Sequence, residues 1–133
     1  MRKIELHHVE HVAFYFAQKW MSYNEPIPPY ETRFKNALES CLATPFMGYY
    51  QGLAEKGAIL FYLLVKNHPF KNGNKRIAVM SLLTFLALND RWLTVTDIQI
   101  YKMAKEVAES SPDQKDMKIG SVKYFIERNL VKP

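Results

Sequence analysis

The sequence predicts an all-α protein, a compact bundle of about six helices around a buried central one, with a short loop at residues 44–50 folded onto it. Three observations predict this. Apolar residues recur three and four apart in six segments, the spacing of a helix with one face inside. Residues 77–88 are apolar nearly all round, the mark of a helix enclosed by others. Strand signals are weak, confined to residues 92–95 and 44–50. At 133 residues, one domain spanning 1–133 with a single core is expected. A composition 48% hydrophobic and 23% charged is that of a globular chain.

In order, residues 5–21 form the first helix, with Val9, Val12, Ala13, Phe16, Ala17 and Trp20 on one stripe. His7 and His11 sit at i, i+4 on that helix, a spacing that could hold zinc. No cysteine, histidine or carboxylate set completes four structural or three catalytic ligands, so these histidines read as surface residues. Ser22–Tyr30 contains Pro26, Pro28 and Pro29 and is a loop. Helical spacing resumes over 31–42 through Phe34, Ala37, Leu38, Cys41 and Leu42. Cys41 reads as a small core hydrophobe rather than a nucleophile. Pro45 and Gly48 break the next stretch, residues 44–50.

The third helix covers 51–67, with Leu53, Gly57, Leu60, Phe61 and Leu64 on its apolar side. It ends near His68, since Pro69 disfavours the α conformation there. Gly73 lets the backbone turn, and a fourth helix runs over 74–88. Its first turn carries Lys75 and Arg76. Cations at a helix N-terminus oppose the dipole, so they point to an anion from outside, which the free backbone N–H groups would also bind. His68, across the turn, is placed to act as a general base. Asn89 is suited to the helix end. Thr96 and Gln99 have capping-box spacing and open a fifth helix. A last one runs through Val122, Phe125, Ile126 and Leu130.

His68-Pro69-Phe70-Lys71-Asn72-Gly73-Asn74-Lys75-Arg76 resembles the signature loop of the Fic and death-on-curing (Doc) superfamily, H-P-F-x-x-G/A-N-x-R. The surrounding residues 51–88 resemble the Doc branch in particular. The resemblance implies a toxin of a toxin–antitoxin pair, in which His68 takes the proton of a hydroxyl on a target protein, by resemblance a translation factor. That hydroxyl then attacks a phosphate of ATP. Asn72, Gly73, Asn74, Lys75 and Arg76 would bind the nucleotide, with Lys75 and Arg76 offsetting charge on the transferring group. Phe46, Met47 and Tyr49 would belong to a flap that docks the target chain by strand-like pairing.

The chain departs from the pattern at three positions. AMP-transferring members carry Gly where this chain has Lys75, and a second Arg where it has Val79. Both differences favour transfer of the γ-phosphate. Both branches usually carry Asp or Glu at the Asn72 position, where it helps hold Mg²⁺; Asn72 is a weak ligand in comparison. AMP or other nucleotidyl transfer, and a non-catalytic binding module, stay open as alternatives. An antitoxin, the protein substrate and ATP are the implied partners, with ATP as substrate and Mg²⁺ as cofactor.

The net charge of +5 fits an acidic partner, but the cations are scattered. Direct nucleic-acid reading is therefore not expected. Residues 1–8 lack the apolar run of a signal peptide, and 77–88 is too short to span a bilayer. A single cysteine fits a reducing cytoplasm.

Overall fold

Six helices carry the fold in the computed structural model, which describes residues 1–21 and 26–133; residues 22–25 of the Pro-rich loop lie outside the described residues. Leu6–His8, Val9–Ala13 and Phe14–Lys19 run on as α1. The others are α2 (Lys35–Ala43), α3 (Leu53–Lys66), α4 (Asn74–Leu88), α5 (Asp97–Glu109) and α6 (Lys115–Asn129). The architecture is all-α, as the periodicity implied.

The middle of α1, Val9–Ala13, is a π-helical turn. Hydrogen bonding to i+5 inserts one residue per turn and rotates everything after it. The buried residues of α1 are therefore Val9, Ala13, Phe14 and Ala17, while Phe16, expected inside, is 52% exposed. His7 neighbours Glu5 and His8 and His11 neighbours Glu10, so among the described residues no group of three metal ligands contains both His7 and His11.

α2 starts four residues later than its spacing suggested. Tyr30–Thr32 is a 3-10 turn, and Phe34 is extended, its N–H donating to the Pro69 carbonyl at 2.8 Å. That bond holds the entry to α2 against the loop after α3 and leaves Phe34 exposed.

α3 lies at the centre, packed against α4 on one side and α6 on the other. Gly57 permits the approach: a Cβ there would lie 3.1 Å from Leu82 Cδ1 and 3.4 Å from Ile126 Cδ1. Leu60, Phe61, Leu64, Ile77, Leu82, Phe85 and Leu86 fill the interior. α4 is not covered all round, however. Met80, Leu83, Thr84 and Ala87 face an apolar groove of about 800 Å³ shared with Val12, Phe16 and Trp20 of α1 and with Trp92 and Ile100.

The Asn89 backbone does not take the left-handed turn after α4. Asp90 does, at φ 58°, while the Asn89 amide donates to the carbonyls of Phe85 and Arg2 at 2.9 Å each. The capping box forms as spaced, Gln99 N–H donating to Thr96 Oγ1 at 3.1 Å and Thr96 N–H to Gln99 Oε1 at 2.8 Å. α6 stops at Asn129, one residue before Leu130. β1 (Trp92–Leu93) pairs antiparallel there with β2 (Leu130–Val131), Leu93 opposite Leu130. Among the described residues, no helix is long and apolar enough to cross a membrane.

Candidate active site

The loop between α3 and α4 is built from a strained residue, a buried anchor and a clamp. Asn67 caps α3. His68 follows in the left-handed region at φ 47°, the position after a helix that glycine usually fills. A β-carbon there costs about 1 kcal/mol or more, and strain of this kind gathers at functional sites. The turn projects the His68 side chain into solvent. Among the described residues, no hydrogen bond holds its imidazole.

Phe70 points the other way. It is 2% exposed, packed on Phe14 and Tyr30 with ring centroids 5.8 and 6.0 Å away. Asn74 fixes the backbone beneath it: Phe70 N–H donates to Asn74 Oδ1 at 3.0 Å, and Asn74 Nδ2 donates to the Phe70 carbonyl at 2.8 Å. Both ends of the Asn74 amide are thus committed to the loop. Asn74 positions the loop.

Gly73 caps α4 at φ 78°. A Cβ at this position would lie 2.6 Å from Ile27 Cγ1, so both the conformation and the space demand glycine. Lys75 is partly exposed in the first turn and Lys71 is exposed. Neither has a carboxylate partner among the described residues. Arg76 is 3% exposed and donates through Nη1 to the carbonyls of Ala17 at 3.2 Å and Trp20 at 3.3 Å. A cation there complements the negative end of α1. Arg76, expected to bear on phosphate oxygens, lies beneath the loop and ties α1 to the start of α4.

The expected flap lies elsewhere. Phe46 packs edge-on against Phe85 at 5.4 Å, and Lys56 Nζ donates to the Tyr50 carbonyl at 2.6 Å. Both partners mark the end of the α3–α4 pair remote from His68, roughly 16 Å along α4 from Asn74 to Phe85 at 1.5 Å per residue. Met47 and Tyr49 are exposed there. The reason is connectivity: residues 44–50 lead into the N-terminus of α3, and the loop leaves from its C-terminus. The segment that adjoins the loop is residues 26–34. Asn72 Nδ2 donates to the Pro26 carbonyl at 3.3 Å, Ile27 covers Gly73, and Phe34 bonds to Pro69. Its three prolines marked a loop in the sequence, but no local signal says where a loop lies.

The donor set does not fit a magnesium ion held by the loop. No Asp or Glu occurs between Glu55 and Asp90, and Asn72, whose nitrogen donates to the Pro26 carbonyl, offers only the neutral Oδ1 where Mg²⁺ is held through carboxylates. Among the described residues, the one group of three candidate ligands is Glu5, His7 and His8. It sits at the start of α1, where His8 lines the groove beside Leu88 and Asp90, away from His68. His8 Nδ1 already accepts the Glu5 N–H at 2.9 Å. Burial first, then the neighbouring His7, holds its pKa below the usual value.

Cys41 is fully buried, and that burial pushes its thiol up to about 11. A thiol so rarely ionised is inert.

A family model described as the Fic/DOC family matches residues 5–86, well over half of the chain and including the whole loop. No curated protein and no solved structure matches the chain.

Proposed function

Because the chain belongs to the Fic/Doc family, a family of Fic-type enzymes and binding modules, we propose that it is a death-on-curing-like toxin transferring the γ-phosphate of ATP to a protein hydroxyl. The observation that carries this reading is His68, strained and exposed beside the basic N-terminus of α4. In the reaction, His68 takes the proton of the target hydroxyl. The oxygen bonds to the γ-phosphorus, the bond from that phosphorus to its bridging oxygen breaks, and ADP leaves with the electron pair. Lys75, with the backbone N–H groups that open α4, offsets charge on the transferring oxygens.

Two residues support γ- over α-transfer. Lys75 puts a side chain where a deeply seated polyphosphate would need space. Val79 is wholly buried, so that turn of α4 offers no cation to a distant phosphate. Residues 26–34 are the stretch a target chain would meet first. The antitoxin implied by the resemblance would bring an apolar helix face, and the α1–α4 groove with its exposed Phe16 is the surface that fits one. Phe16→Glu should then abolish a complex with the cognate antitoxin in a pull-down; an undiminished complex would remove the groove from consideration.

The transfer reading is tested by incubating the protein and cell lysate with ATP labelled at either the α- or the γ-phosphorus. Label on a target from the γ position alone is expected. Label from the α position overturns it in favour of nucleotidyl transfer. A second reading, a nucleotide-binding module without catalysis, is favoured by the missing carboxylate at Asn72 and predicts binding with no label transferred.

A further inference from the structure

We propose that this site takes the polyphosphate of its nucleotide without a divalent ion held by the loop of residues 68–76, the ammonium groups of Lys71 and Lys75 supplying the countercharge instead. The inference rests on the nucleotide-binding part of the reading above and deepens it. Three observations lead there. The first is the donor set. Mg²⁺ is held through hard anionic oxygens, and the chain from residue 56 to residue 89 contains none on a side chain.

The second is the engagement of Asn72. Its Nδ2 donates to the Pro26 carbonyl at 3.3 Å, a bond that an aspartate could not make. The amide thus has a role that a metal-binding carboxylate would forfeit: it tethers the segment over the loop. The third is the distribution of positive charge. Of the three permanent cations in residues 68–76, Arg76 is turned inward to the carbonyls of Ala17 and Trp20. Lys71 and Lys75 face outward, with no ion pair among the described residues to neutralise them. Losing an anion at position 72 and placing a lysine at 71 both raise the local potential. A tetra-anionic polyphosphate is better matched to that potential than its magnesium complex, which carries two fewer negative charges.

Calorimetric titration of the intact chain with ATP, in excess MgCl₂ and separately in EDTA, tests this. Affinity in EDTA is expected to equal or exceed that in MgCl₂. In EDTA, Lys71→Ala should weaken binding by about five- to tenfold, the scale of one charge-assisted contact near the surface, and Lys71→Arg should restore it. Asn72→Asp should reverse the metal preference: weaker than wild type by about tenfold in EDTA and recovered by MgCl₂. Wild-type binding that collapses in EDTA and returns with Mg²⁺ overturns the inference while leaving a nucleotide site. Equal affinities of wild type and Lys71→Ala in EDTA overturn the role of Lys71. Absence of binding in both buffers overturns the inference and the phosphotransfer reading together.

Discussion

Replacing His68 by glycine separates chemistry from folding at this site. In the folded protein residue 68 sits at φ 47°, where a β-carbon costs about 1–2 kcal/mol and glycine costs nothing. Glycine also loosens the unfolded chain, which returns about 0.4–1 kcal/mol to the unfolded side. The two terms oppose each other, and the exposed imidazole leaves no cavity behind. His68→Gly should therefore be isostable with the wild type or more stable by up to about 1.6 kcal/mol, a rise in Tm of at most roughly 6 °C for a domain of this size. His68→Ala keeps the β-carbon and gains none of this relief. Both variants should lose phosphotransfer by about 10²–10⁴ if His68 is the base. Thermal melts and single-turnover transfer of labelled phosphate, on the same preparations, read the two effects independently. A His68→Gly protein that melts well below His68→Ala would refute the strain argument. A folded His68→Gly protein with full activity would refute the base.

The remaining predictions concern the glycine at the start of α4 and the buried thiol. Gly73→Ala adds a Cβ that would lie 2.6 Å from Ile27 Cγ1 at φ 78° and should destabilise by about 1–3 kcal/mol. Adding Ile27→Ala should recover only the steric share, and full recovery in urea melts would show that the backbone angle costs nothing. Cys41 titrates near 9 when unfolded and at about 11 in the fold. Between those pH values the unfolded chain has released a proton that the fold retains, so stability falls as pH rises through that window, by at most roughly 2–3 kcal/mol. Cys41→Ala should flatten part of that decline. Tyr30, Tyr50 and Tyr62, also raised chiefly by burial, keep the rest. An alkaline slope unchanged in Cys41→Ala would show that the thiol does not contribute.

What the sequence made legible was the existence of each helix and the residue types of the loop. Periodicity reports burial, and burial of one face is what holds these helices together, so α3, α4, α5 and α6 lie close to where the apolar spacing put them. The errors occur where geometry is set by something periodicity does not encode. The π turn in α1 exchanges Phe16 for Phe14 in the core; it is a single inserted residue, invisible to a spacing of three and four. Leu130 fits the stripe of α6 but pairs with Leu93 across a strand. The resemblance, and not the residues themselves, implied a flap at Phe46, Met47 and Tyr49; their apolar character and the break at Pro45 and Gly48 indicated only a loop. Their distance from His68 follows from the length of α3 (Leu53–Lys66), which separates residues 44–50 at its N-terminus from the loop at its C-terminus, and the helix read over 51–67 already contained it.

The directions of the loop side chains were partly recoverable. Successive residues of an α-helix point about 100° apart, so Lys75 and Arg76, in the first turn of α4, cannot both face one ligand from the same side. One of them had to turn toward the bundle. Burial of a charge is tolerated only with partners, and the guanidinium offers five N–H donors where the ammonium of lysine offers a point charge. Arginine is thus the residue able to go inside, where the last carbonyls of α1 accept from it, and lysine the one left at the surface. The same reasoning applies to Asn74 against Asn72. An amide that both donates and accepts can clamp one residue's N–H and C=O together, as Asn74 does at Phe70, and a carboxylate cannot. In this loop Asn74 and Arg76 serve the architecture through their hydrogen bonds, and Lys71 and Lys75 are the cations placed to meet the proposed polyphosphate.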